Sequence, residues 1–306
     1  MGIQKIIKRT VYDIEYIYLS TDTKPTDGIV VGDKLFEKDT GRRFIYNGTT
    51  WDYDLRFPMF SFEQEIARGL VTGYRVWGKI GFKNGVTAEQ DIGPWMTAPY
   101  VFPAAALTLT AISDSIEDDP VKADTDPGTG AHSITLHYLT DAYVEKSVTI
   151  ALNGTAAVEL ADDVFRVQNC HVTTAGTGGQ AAGNITLASG GITYGYIEAT
   201  KTRMRQCIWT VPLGKTLYIS QYSFACSEQA LSKYARFTLK ANYDYLTDVI
   251  LQRGLYIPYS EQTLNNTPFI HKMYSPLMFP ATTDITVCCY ASSSAVVSCS
   301  LDGWLE

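Results

Sequence analysis

The chain has 306 residues, of which 45% are hydrophobic and 19% charged, and its formal net charge is −7. That length fits about two domains with an additional segment, and the composition carries little of the signature of disorder. Negative charge repels phosphates and excludes nucleic acid as the principal partner, while 4 His set against 20 Tyr, 12 Phe and 5 Trp favour strands over histidine-built catalytic or metal centres.

No stretch approaches the roughly 20 apolar residues that span a bilayer, and Met1 to Thr10 lacks an apolar signal core. The expectation is a protein made in a cytoplasm, with no membrane partner. Cys170, Cys207, Cys226, Cys288, Cys289 and Cys299 show no CxxC spacing, so buried free thiols are expected.

The first legible element runs from Gly32 to Trp51. Leu35-Phe36-Glu37 and Arg43-Phe44-Ile45-Tyr46 read as strands parted by an Asp-Thr-Gly turn, and Asn47-Gly48 supplies a second turn, which predicts a small β-meander. Such a ribbon buries too little to stand alone and must dock on something else. Phe62 to Arg68 predicts one or two helical turns and Leu70 to Ile80 a strand. Asn84-Gly85, Gly93-Pro94-Trp95 and the prolines Pro99 and Pro103 then interrupt regular structure, as a connecting arm does.

After Ala104, short apolar segments recur with turn residues every eight to twelve positions, the spacing of a sandwich or barrel. Strands are predicted over 107–112, 132–139, 146–152, 165–174, 183–188 and 193–199. A second block holds strands over 204–211, 216–227, 234–243, 250–257, 273–279, 284–291 and 295–301. Pro212-Leu213-Gly214-Lys215 and Ser292-Ser293-Ser294 read as hairpin turns within it. Apart from Phe62 to Arg68 and Glu228 to Tyr234, no window sustains a helical period.

The predicted fold class is all-β: two tandem β-sandwich (jelly-roll-like) domains, 104–200 and 201–306, preceded by an N-terminal arm and small β-meander over 1–103. One large interleaved double sheet is the other arrangement these blocks allow. Residues 1–103 hold little core-forming material and are expected to carry attachment while both later blocks fold without them. Aromatic side chains dominate interface energetics, so Phe36, Phe44, Tyr46 and Trp51 are the candidate attachment residues.

Chemistry-bearing residues are sparse. The acidic loop Asp114 to Asp126 lacks the spaced ligands of a calcium loop and reads as solvated. His132 and Ser133 are adjacent on a predicted strand and so point to opposite faces, which rules them out as a dyad. Glu145 and Asp141 offer carboxylates without an orienting partner in sequence. No catalytic residue, metal site or cofactor is predicted.

Three segments carry a resemblance. Gly32 to Trp51, Ala151-Leu152-Asn153-Gly154-Thr155-Ala156-Ala157-Val158 (with Phe165-Arg166-Val167 and Ala182-Gly183-Asn184-Ile185-Thr186 after it), and Trp209-Thr210-Val211-Pro212-Leu213-Gly214-Lys215-Thr216-Leu217-Tyr218-Ile219 resemble phrases that recur in tailed-bacteriophage virion proteins. Thr283-Asp284-Ile285 also fits. The resemblance, to jelly-roll-type decoration, head-fibre and tail-adaptor proteins, implies a non-enzymatic part of the virion. Its implied partners are capsid or tail and portal components and further copies of itself, a trimer by analogy. The preferred role is a capsid- or vertex-associated accessory protein; the alternative is a tail adaptor or tail-fibre component that binds a host receptor or surface glycan.

Overall fold

A computed structural model describes residues 4–7, 14–54, 62–69, 71–122, 126–227, 235–242, 255–262 and 269–306. The chain divides into two compact units, Met1–Val76 and Trp77–Glu306. Strands make up 54% of it, and the described residues include one short helix, which makes the protein all-β.

In the first unit, β1 Gln4–Ile7, β2 Ile14–Tyr18, β3 Lys34–Glu37, β4 Arg43–Tyr46 and β5 Trp51–Tyr53 form one sheet in sequence order. β3, β4 and β5 are the predicted meander, and it docks on β2 through a parallel pairing that sets Tyr16 opposite Leu35. Asn47 closes the second turn by accepting the N–H groups of Thr49 and Thr50 at 2.8 Å each, and Gly48 takes φ 103°, which a side chain would strain. The helix α1, Phe62–Ala67, occupies the predicted helical turns. The second predicted helical window, 228–234, and positions 250–254 of a predicted strand lie outside the described residues.

The second unit holds two sandwiches. β6 Arg75–Val86 and β7 Gln90–Asp91 come first in sequence. Then β8 Leu107–Ser113, β9 Ala131–Leu139, β10 Glu145–Ala151, β11 Val158–Val164, β12 Arg166–Ala175, β13 Ile185–Ser189 and β14 Ile192–Ile197 build two sheets ordered β10-β9-β12 and β11-β8-β13-β14. In β9 Ile134, Leu136 and Tyr138 face the core while Ser133, Thr135 and His137 face out, the alternation a half-wet sheet requires. β11 was not predicted. Its two central aspartates, Asp162 and Asp163, mask the apolar pattern, and they suit a sheet-edge strand, where charge deters further pairing.

The other sandwich comprises β15 Ile208–Thr210, β16 Leu217–Cys226, β17 Ala235–Asn242, β18 Leu255–Gln262, β19 Phe269–Phe279, β20 Asp284–Ala291 and β21 Ala295–Leu305. Its sheets run β15-β20-β17-β18 and β19-β16-β21-β6, with β7 beside β20. Phe224 and Phe237 stack across the two sheets at 4.6 Å. Two separate cores thus favour tandem sandwiches over a single interleaved double sheet.

Three local expectations need correction. Residues 75–91, read as the strand and arm of an attachment region, supply β6 and β7, and from Trp77 onward they belong to the second unit. Trp77, Val86 and Ile92 are buried in its core. The Pro212 to Lys215 turn has the expected chemistry, with Gly214 at φ 71°, but joins β15 in one sheet to β16 in the other, and Ser292 to Ser294 likewise joins β20 to β21 across the sandwich. Turn residues dictate a local reversal; burying both apolar faces decides which sheet the exit strand joins. All six cysteines are free, five of them buried.

Candidate functional site

The richest polar chemistry among the described residues lies where the two sandwiches of the second unit meet. Arg166 at the start of β12 and Asp284 at the start of β20 are only 7% and 8% exposed and pair through two bonds, Nε to Oδ1 at 2.9 Å and Nη2 to Oδ2 at 3.0 Å. Arg166 also donates to the carbonyls of Pro103 (2.7 Å) and Phe165 (3.1 Å), and its guanidinium lies 3.8 Å from the centroid of the Phe165 ring. Thr210 Oγ1 donates to Asp284 Oδ1 at 2.5 Å. Beside this pair the buried Gln168 amide continues the ladder in place of a strand: its oxygen accepts the Thr210 N–H at 3.1 Å and its NH₂ donates to the Thr210 carbonyl. These groups satisfy one another fully, as buried charges must.

Next to this junction opens a cleft of about 270 Å³, lined by Lys79, Ile80, Asn169, Arg203, Trp209 and Asp302 among others. Lys79 comes from β6 and is 8% exposed. Its ammonium donates to the Gln168 carbonyl and lies 5.4 Å from the Trp209 ring centroid; among the described residues no carboxylate pairs with it. Trp209 packs edge-on against Trp77 at 5.6 Å, and its buried Nε1 has no acceptor. Arg203 is exposed at the rim, where its backbone bridges to His171 and the neighbouring Met204 N–H donates to the Cys170 carbonyl of β12. Asp302 belongs to β21; a Cβ on Gly78 would come within 3.3 Å of its Oδ1, so Gly78 leaves the carboxylate its room.

Burial holds the Lys79 ammonium down to about 8, from an ordinary 10.5, against a weaker opposing pull from Cys207. The unfolded chain therefore binds this proton more tightly than the folded one, and the residue's contribution to stability improves as pH rises from about 8 towards 10.5. In urea titrations, the stability of Lys79→Met relative to the parent should shift in favour of the variant by about 3 kcal/mol between pH 10.5 and pH 7. A pH-independent difference would mean that the ammonium is solvated.

The residues predicted as attachment points sit elsewhere, in the first unit. Phe44 and Trp51 pack on the small core of Tyr16, Tyr18 and Leu35, and Tyr46 lies 5.4 Å from Trp51, so these three aromatics share one face. Trp51 Nε1 donates to the Pro25 carbonyl at 2.9 Å. Phe36 alternates with buried Leu35 and Glu37 and so lies on the opposite face, beside Arg43. The structure thus brings three of the four together as internal packing and leaves Phe36 apart.

The remaining candidates disperse. His132 bonds the Gly128 carbonyl at 2.6 Å while Ser133 bonds Thr174 Oγ1 at 2.6 Å, and Glu145 lies exposed on the edge strand β10. Two histidines that sequence reasoning did not connect, His137 and His171, stack at 5.5 Å on the outer face of the first sandwich. No group of three potential metal-ligating side chains occurs among the described residues.

The acidic loop departs from the solvated run expected at Asp118, while Asp114 and Asp126 are exposed and Asp124 lies outside the described residues. Asp118 is fully buried and accepts four bonds: from Ala131 N (2.6 Å), Ala182 N (2.8 Å), Gly183 N (2.9 Å) and Ser113 Oγ (2.6 Å). Asp114 accepts from both the backbone and the side chain of Asn184, and Glu117 from Thr129 and Lys122. These carboxylates tie the loop to the strands around it. Replacing Asp118 with Ala strands three N–H groups, two of them buried, and a buried hydroxyl and is expected to destabilise the protein by about 3–5 kcal/mol, measured by chemical denaturation. A loss below about 1 kcal/mol would show that water replaces the carboxylate.

The fold and the junction define an all-β, tandem-sandwich protein. No protein-family model matches the chain, and no curated protein does. Among solved structures it is similar to the infectious bursal disease virus Gt strain structure, at 8% identity over 80% of this chain and 77% of that one, with a TM-score of 0.21. It is also similar to T=1 particles derived from that virus, at 9% identity over 76% and 69% with a TM-score of 0.20, and to the Gx strain structure, at 8% over 76% and 75% with a TM-score of 0.20. A likeness this slight transfers neither a fold family nor a role. No helix among the described residues is long and apolar enough to cross a membrane.

Proposed function

We propose that this protein is a non-enzymatic structural component of a tailed-phage virion, a capsid- or vertex-associated accessory protein of the decoration or head-fibre kind. It attaches to capsid or neighbouring virion proteins through its N-terminal region and assembles with copies of itself, as a trimer. The observation that carries this reading is the independence of the first of the three segments that bear the virion resemblance. Gly32 to Trp51 folds into a sheet with its own small core, in a unit distinct from the sandwich pair. Two separate compact units, one small and one large, suit attachment by one and display by the other.

Phe36 is the attachment residue to test, because Phe44, Tyr46 and Trp51 stabilise their own sheet. Particles carrying Phe36→Ala should hold fewer copies in electron-microscope images, while the free variant melts like the parent and sediments as the same oligomer. Full occupancy with Phe36→Ala removes that residue from the attachment surface. A wild-type protein found on no particle, on neither shell, vertex nor tail, overturns the structural role itself. A second reading, a tail adaptor or fibre component that binds a host receptor or glycan, draws on the cleft between the sandwiches.

A further inference from the structure

We propose that the cleft between the two sandwiches binds a small hydroxylated carboxylate, an acidic sugar residue of the uronic type, whose carboxylate sits against Lys79 and Arg203 and whose hydroxyls meet Asn169 and Asp302. The site needs no virion placement and stands or falls on the free protein.

The first argument is charge. A lysine that is 8% exposed and whose ammonium has a single neutral acceptor is an expensive arrangement, since buried cations in proteins are ordinarily paired with an anion. Lys79 nevertheless lines an open cleft, and a second cation, Arg203, stands at the rim, in a chain whose net charge is −7. Two cations against one carboxylate, Asp302, leave the cleft net positive in an acidic protein, which favours an anion from outside.

The second argument is unspent hydrogen bonding. Asn169 offers both a donor and an acceptor, and Asp302 offers acceptors, with burial raising its carboxyl above the ordinary range. Cations flanked by mixed donors and acceptors fit a ligand that carries hydroxyls as well as one negative group. The Asp302 carboxylate also disfavours a dianion such as phosphate, which would bring a second charge against it.

The third argument is size. At about 270 Å³ the cleft lies just under the roughly 300–1,000 Å³ of pockets that enclose drug-sized ligands, and so suits a single ring.

The test titrates the purified full chain with glucuronate and, in separate arms, glucose and inorganic phosphate, by calorimetry and indole fluorescence. Saturable glucuronate binding is expected, with glucose and phosphate at least tenfold weaker. Lys79→Met and Arg203→Ala should each weaken glucuronate binding about tenfold or more. Arg203 is exposed at the rim, so its variant decides the matter if Lys79→Met does not fold. The proposal is overturned if glucuronate does not saturate, if glucose or phosphate binds as tightly, or if the folded variants bind like the parent. Because no particle enters the assay, its failure leaves the virion reading standing, and failure of that reading leaves this site standing.

Discussion

A chain starting at Ala104 is expected to fail to fold cooperatively, whereas one starting at Arg75 is expected to melt in a single transition close to that of the full chain. The prolines and glycines over 93–103 make Ala104 look like a natural boundary in the sequence, yet the core of the second sandwich depends on what precedes them. Trp77, Val86 and Ile92 are at most 5% exposed there, and β6 covers the edge of β21 while β7 pairs with β20. Losing a buried Trp costs about 3–5 kcal/mol and a buried Ile about 2–5, so these residues together amount to on the order of 10 kcal/mol. That is comparable to the entire 5–15 kcal/mol by which a domain is ordinarily stable. The bared edge of β21 would in addition invite pairing with another chain. Thermal melts by circular dichroism and size-exclusion chromatography of the two chains would decide it. A chain from Ala104 that melts sharply within a few degrees of the longer one would show that β6 and β7 are dispensable.

How far the sequence discloses this architecture depends on where the deciding contacts lie. β9 and β20 are legible because alternation or a continuous apolar run is a local signal of which faces are buried. β6 is misleading for the same reason. Its inward positions are Trp77, Lys79, Gly81 and Lys83, while Val76 and Ile80 face out, so hydrophobicity points to the wrong face of the strand. Gly81 is inward because a Cβ there would meet Cys299, Ile92 and Cys207 within 3 Å, a constraint set by three distant segments. The meander was readable in its turns and strands, but an aromatic that fills a private core looks the same in sequence as one that anchors a partner. Trp51 and Phe44 pack, half-buried, against the core of their own sheet. Lys79 was invisible as a site residue, since nothing near it in sequence tells that Asn169, Arg203 and Asp302 gather around the same cleft.

The sharpest example of that long-range dependence is also a prediction. Replacing Arg166 with Ala is expected to lower stability by about 3–5 kcal/mol, because it leaves the Asp284 carboxylate buried opposite nothing but Thr210. The two residues lie 118 positions apart, and each carries a charge into the seam between separately built cores. A guanidinium held by two parallel bonds to one carboxylate fixes angle as well as distance, so Arg166→Lys, which can offer only a point charge, should recover a minor part of the loss. Removing both charges together, as Arg166→Met with Asp284→Leu, should be less damaging than Arg166→Ala alone, since neither partner is then stranded. Urea denaturation of the single and double variants gives the coupling energy directly, and the change in tryptophan emission that is lost on Trp209→Phe, the share of Trp209 at the seam, can be followed against circular dichroism of the sheets. With the pair broken, the two signals are expected to separate, the seam loosening at lower urea than the sandwiches unfold. Coincident transitions together with a loss below about 1 kcal/mol would show that the apolar surfaces and Gln168 hold the sandwiches together without the ion pair.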